Sequence, residues 1–114
     1  MIKTYDVALS GIRAARTIMD VTARNVANAN TDGFKKDRAV LSEGADGGVV
    51  VDIEKVTDRG PVRQTPDGKE VEASNVNLVE ETGARITALR SLEANVAAFR
   101  TADEMERSLL DIFV

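Results

Sequence analysis

Arg24 to Phe34 reads "RNVANANTDGF". Asn25, Asn28 and Asn30 crowd the end of a stretch that otherwise reads as helix, although asparagine is a middling helix former whose carboxamide competes for backbone hydrogen bonds. Upstream of them Tyr5, Ala8, Ile12, Ala15, Met19, Thr22, Val26 and Ala29 recur at gaps of three and four, one apolar stripe along a helix from about residue 4 to residue 30. The run Asn30, Thr31, Asp32, Gly33 closes it, since glycine enters the left-handed conformation of a helix C-terminus at little cost. Asn25 and Asn28 share a helical face, with Asn30 near the end of the same turn. Their amides either tie down a fraying helix end or bond across to neighbouring helices and set the register.

A second helix starts at "ASNVNLVEE", where Asn77 stands as N-cap and Glu80, three residues on, is placed to reach back as in a capping box. From there Val79, Ile86, Leu89, Leu92, Val96, Phe99, Ala102, Met105, Leu109 and Ile112 recur at gaps of three, four or seven to the end of the sequence. Some 35 residues at about 1.5 Å each make a rod of roughly 50 Å, too long for a 114-residue globule to wrap. Such a helix belongs in a coiled coil or an assembly. Gly83 is its one soft spot.

Between the helices the pattern changes. "GGVVVDIEKVT" alternates as a strand, and Val62–Gln64 with Glu70–Glu72 flank "TPDGK", where Pro66 presets a turn and Gly68 supplies a positive φ, so a hairpin is expected. Phe34 to Leu41 is a further candidate strand, and the glycine-rich "EGADGG" reads as a flexible link. The expected division is 1–33 for the first helix and its asparagine signature, 34–73 for a short β-rich segment and 74–114 for the second helix, all one structural unit. The fold class is mainly α, with two long terminal helices as a coiled-coil-like antiparallel pair around a small β segment.

Composition excludes most chemistry. With no cysteine and no histidine, disulfides, thiolate nucleophiles, imidazole bases and the usual zinc sites are out. Hydrophobic residues make up 43% and aromatics only 4%, so the core is aliphatic and alanine-rich, suited to close helix packing. "GADGG" and "TPDGK" lack the context of a phosphate loop, and "DGG" lacks the ligand spacing of an EF-hand. Glu80 and Glu81 are adjacent, about 100° apart on a helix, and read as solvated first-turn acids rather than an acid and base pair. No catalytic residue, metal site or cofactor site is expected, and the chain reads as a non-enzyme.

Charge is unevenly spread. Residues 1–40 carry +3 and residues 41–114 carry −7 within a net −4. The basic residues are interleaved with acids and lack stacking aromatics, which disfavours nucleic acid as a partner. Attraction between the two ends, within or between chains, is the simpler use. No run approaches the roughly 18 apolar residues of a membrane span, and nothing resembles a cleavable signal peptide, so a soluble chain without membrane insertion or a cleaved leader is expected.

"ARNVANANTDGFKK" resembles the N-terminal signature of the bacterial flagellar rod and hook family, usually seen as Ala-Asn-Asn-Leu-Ala-Asn followed by Asn-Thr-x-Gly-Tyr-Lys. "SNVNLVEE", "LRSLEANVAAFRTADEM" and "LLDIF" are similar to that family's C-terminal domain. Ala23, Asn25, Ala27, Asn28, Asn30, Thr31 and Gly33 match the first signature; Asn75, Val76, Asn77, Glu80, Glu81, Glu93, Ala94, Asn95, Arg100, Thr101, Ala102, Asp103 and Met105 match the second. Arg24, Phe34, Leu89 and Leu92 depart from it, towards more apolar contacts and fewer hydroxyl partners. The short middle resembles the small proximal-rod proteins, whereas the last helix leans towards the distal type.

The resemblance implies a structural subunit of the basal-body rod, the drive shaft between motor and hook. Its terminal helices would pack with its own and other rod subunits in a helical tube after export from the cytoplasm through the type III apparatus. The signature residues would then lie at subunit interfaces, with Tyr5, Ile12, Met19, Val26, Ile86, Leu89, Val96, Phe99 and Leu109 as the seam of the helices, and with no small-molecule substrate. The alternative, of a different class, is a cytoplasmic helical-hairpin adaptor that folds alone and binds through its middle segment.

Overall fold

The computed structural model describes residues 2–113. Two antiparallel helices, α1 (Ile2–Ala27) and α2 (Leu78–Phe113), form the shaft, and two β-hairpins connect them, β1 (Asp37–Glu43) with β2 (Val49–Lys55) and β3 (Val62–Gln64) with β4 (Glu70–Glu72). The molecule measures 79 × 23 × 14 Å, with a radius of gyration of 20.1 Å where a compact chain of this length would show about 13 Å. The fold is mainly helical, as expected.

α1 ends three residues short of the expected Asn30. Asn28 Nδ2 donates to the Arg24 carbonyl and the Thr31 hydroxyl donates to Asn28 Oδ1, so the last turn unwinds into local side-chain bonds. Gly33 then reverses the chain with φ +74°, as its position suggested. α2 starts where Asn77 caps it: Oδ1 accepts from the Val79 and Glu80 amides at 3.0 and 3.4 Å. The reciprocal arm of the expected capping box is not made, because the Glu80 carboxylate takes Lys36 Nζ instead, at 3.0 Å.

Both hairpins are antiparallel. β3 and β4 pair Val62 with Glu72 through Gln64 with Glu70, and Gly68 turns the chain at φ +82°. β1 and β2 pair Asp37 with Lys55 through Glu43 with Val49. The expected flexible link "EGADGG" is instead the closed end of this hairpin, where the Gly44 amide donates to the Gly48 carbonyl at 2.6 Å and Gly47 takes φ +84°.

The core is a line of small residues. Ala8, Ala14, Ala15 and Val21 of α1 are buried with Ala88 and Ala102 of α2. A Cβ on Gly11 would overlap the Asn95 carboxamide, so the helices approach there as closely as glycine allows. Within the single chain the contact runs mostly beside the expected seam, although its Tyr5 and Phe99 meet across the helices. Ala8, Ala15 and Thr22 lie in the contact line, but Tyr5, Ile12 and Met19 are half-buried on its flank and Val26 is 50% exposed. On α2 the shift is larger: Ile86, Leu89 and Leu109 are exposed and Val96 is half-buried, while the line runs through Glu81, Ala84, Ala88, Asn95 and Ala102. Close antiparallel packing selects small side chains, and within one chain the large aliphatic ones have nothing to pack against.

Candidate functional site

The asparagines organise the junction between the shaft and the hairpins. Asn25, 1% exposed, is the largest fully buried side chain. Its Oδ1 accepts from the Asp37 amide at 3.0 Å, and its Nδ2 donates to the Asp37 carbonyl at 2.8 Å and to Glu81 Oε1 at 3.1 Å. One carboxamide therefore pairs with β1 as a neighbouring strand would, and ties α1 to α2 as well. Asn75 does the same from the other side. Its Oδ1 accepts from the Lys36 amide at 2.7 Å, and its Nδ2 donates to the Val56 and Asp58 carbonyls, each at 3.0 Å. Residues 36 and 37 are clamped between two carboxamides, each using donor and acceptor together.

Charges close the clamp. The buried Asp37 carboxylate meets Arg24 at 3.1 Å and Lys55 at 3.4 Å, so a strand start, a strand end and the last turn of α1 converge on it. Glu81 is also buried, which corrects its reading as a solvated acid. Burial pushes its carboxyl up from the ordinary 4.5, opposed by the hydrogen bond from Asn25 and by Lys36. Glu72 moves the other way. The Lys35 ammonium on it and the Gly60 amide at 3.0 Å hold it below 4.5.

Of the other signature residues, few touch this junction. Asn28 is spent on its own helix end, so its amide does not bond across to another helix of the chain; Asn30, Thr31, Ala23 and Ala27 are exposed. Further up α2, Asn95 packs on Gly11 and donates to the Ser91 carbonyl at 2.8 Å. Glu93, Arg100 and Thr101 face outward, Thr101 with its hydroxyl on the Ala97 carbonyl, while Asp103 pairs with Arg107 at 3.2 Å. Near the start of α1 the Tyr5 ring meets Phe99 edge-on at 4.9 Å. The Tyr5 hydroxyl is pushed up to about 12, first by burial and then by the Glu106 carboxylate beside it.

Sequence reasoning missed Gly11, Asp37 and the burial of Glu81. Only Asp37 left a signal, an acid set among Lys35, Lys36 and Arg38 at the start of a strand. The structure thus divides the chain into a polar, fully bonded junction and a shaft whose large apolar residues look outward: Val26, Ile86, Leu89, Met105, Leu109 and Leu110 are all about half exposed. Nothing in this arrangement forms a catalytic constellation among the described residues, and no group of acids there is placed to hold a metal ion. No described helix is long and apolar enough to cross a membrane.

Comparison with known proteins agrees with the two-ended pattern. Residues 6–35 match the model of the flagella basal body rod protein family, and residues 69–112 match the model described as flagellar basal body rod FlgEFG protein C-terminal. The chain is similar to the flagellar basal-body rod protein FlgC of Borreliella burgdorferi, with 30% identity over an alignment covering 98% of this chain and 97% of that protein. With both terminal signatures matched in order and a relative aligned almost end to end, the chain belongs to the flagellar basal-body rod protein family.

Proposed function

We propose that this chain is exported through the flagellar type III apparatus and self-assembles, with its own copies and with other rod subunits, into the helical tube of the rod. One observation carries the reading. The chain exposes 8202 Å², against about 6,100 Å² expected of a compact monomer of its mass, and both long helices carry exposed large apolar residues. A surplus of that size suits a subunit completed by its neighbours. The same thinness of core lets the chain unfold for export and order on assembly.

In this reading the exposed Val26, Ile86, Leu89, Met105 and Leu109 meet neighbouring subunits, and the asparagine junction keeps the two helices of one subunit in fixed register while they do so. Asn30, Thr31, Glu93, Arg100 and Thr101, which make no contact between the helices here, are placed to serve the same interfaces. The role is mechanical: torque passes through many interlocked helices. The function is tested by mass spectrometry of hook and basal-body complexes washed with detergent and salt. Stoichiometric recovery of the chain is the expected result. Its absence from intact complexes, with the protein found free in the cytoplasm, would overturn the rod role in favour of the adaptor.

A further inference from the structure

The inward face of the first hairpin is left unfinished. Ala39, Leu41, Val49, Val51 and Ile53 share one face of the hairpin, on which Ala39 pairs with Ile53 and Leu41 with Val51, and Ala39, Leu41 and Val49 of that face look into the space beside the helix pair. Yet Leu41 and Ile53 are each about half exposed. The hairpin leans on α1 alone and leaves α2 uncovered. The result is an open apolar groove of about 610 Å³, walled by Leu41 and Val49 of the hairpin, Ala14 and Ile18 of α1, and Ala84 and Ala88 of α2.

At the other end of the molecule the apolar face of a helix is left uncovered by the described residues. Asn25 faces Glu81, Gly11 faces Asn95 and Tyr5 faces Phe99, so the start of α1 is level with about Ala102. The last ten or so residues of α2, about 15 Å, run on past it. Along that overhang Met105, Leu109 and Ile112 fall at gaps of four and three, one face of the helix, with exposures of 55%, 47% and 75%.

We infer that the groove between the first hairpin and the helix pair receives the apolar C-terminal overhang of α2 from a second copy of this chain. This rests on the self-assembling rod reading and names the contact that builds it. The chain's own overhang cannot reach the groove, because α2 is one continuous helix and the groove lies alongside its earlier turns. Anchors at i, i+4 and i+7 are what a helix offers an apolar groove. Each copy gives one end and receives another, so every copy covers a donor and an acceptor surface. The surplus of about 2,100 Å² over a compact monomer exceeds the roughly 1,600 Å² that a copy buries when it donates to one standard interface and accepts another, at about 800 Å² each. Since donor and acceptor surfaces differ, the contact is heterologous and propagates instead of closing a dimer.

The sequence has no cysteine, so single ones report cleanly. Ala84→Cys in the groove wall and Leu109→Cys on the overhang are purified separately, checked for helicity by circular dichroism, then oxidised alone and as an equal mixture from micromolar to millimolar concentration. A covalent dimer that forms only in the mixture is the expected result. A Leu109→Cys dimer formed alone means that overhangs pair tip to tip, and no covalent dimer in any sample means that the groove stays empty; either overturns the inference. Thr87→Cys with Ile112→Cys repeats the test should the first pair impair folding. The same pairs in isolated basal bodies separate the two readings: incorporation without the cross-link sinks this contact and leaves the rod role, whereas failure of the parent chain to appear there sinks the rod role itself.

Discussion

Asn25 shows how much one polar side chain can carry when every one of its hydrogen-bonding positions is used. Replacing it with alanine removes three bonds and leaves the Asp37 amide, the Asp37 carbonyl and Glu81 without their partner in a buried place, so Asn25→Ala should cost about 3 kcal/mol in thermal or urea denaturation. Asn28→Ala loses only local bonds at a helix end and should cost under about 1 kcal/mol. Equal losses would refute the assignment of the junction to Asn25. The neighbouring carboxyls set a pH dependence whose sign differs between them. Glu81, raised by burial, binds its proton more tightly folded than unfolded, so its contribution to stability grows as pH falls from neutral towards 4.5 and is constant below. Glu72, lowered first by its bond from Lys35, stabilises above 4.5 and loses that contribution as pH falls further through its folded value. Glu81→Gln should therefore be more stable than the parent at pH 7, with the advantage shrinking towards pH 4.5. The cost of Glu72→Gln should shrink only below it. Denaturation of the two variants across that range reads both signs.

Elements impose their own constraints. Gly11 sits mid-helix, where glycine lowers helix stability by about 1 kcal/mol relative to alanine, and it stands because α2 passes against it. Gly11→Leu should push the helices apart at a cost of about 1–3 kcal/mol, lowering the melting temperature by several degrees. An unchanged melting temperature would show that the helices do not meet there. The ends of α2 should also differ. Beyond Asp103 its described residues are all exposed, so hydrogen exchange in the dilute chain should find residues 104–113 weakly protected and residues 81–102 strongly so, a contrast that assembly should erase. Uniform protection of α2 at low concentration would contradict an unpartnered end.

For the whole molecule, shape is the observable. A dilute chain with the form described here scatters with a radius of gyration near 20.1 Å, and scattering at rising concentration should show lengthening rather than a discrete compact dimer. A fixed dimer with constant size would favour the adaptor. The charge contrast between the first 40 residues and the rest adds an ionic component, so the lengthening should weaken as salt is raised.

Much of the architecture was legible in the residues, because it depends on local rules. Spacing at three and four placed both helices, Asn77 and Gly33 marked a start and a stop, and Pro66 with Gly68 marked the second hairpin to the residue. Family membership was legible too, since the signature residues sit at the two ends in order. Periodicity alone did not show which side of each helix faces the other. On α1 the stripe already held Ala8 and Ala15, but on α2 it counts mostly large aliphatic residues, whereas the contact within a single chain runs through Gly11 and Ala88, where backbones approach most closely. Nor could Glu81 be told from Glu80 in sequence: helical rotation turns one into the Asn25 junction and the other out to Lys36. The sequence by itself determined the two helices, the second hairpin and the kinship, each a matter of neighbours along the chain. The tertiary structure alone decided which asparagine is buried, which acid is desolvated and which apolar face stays open, because those depend on how two helices are rotated against each other.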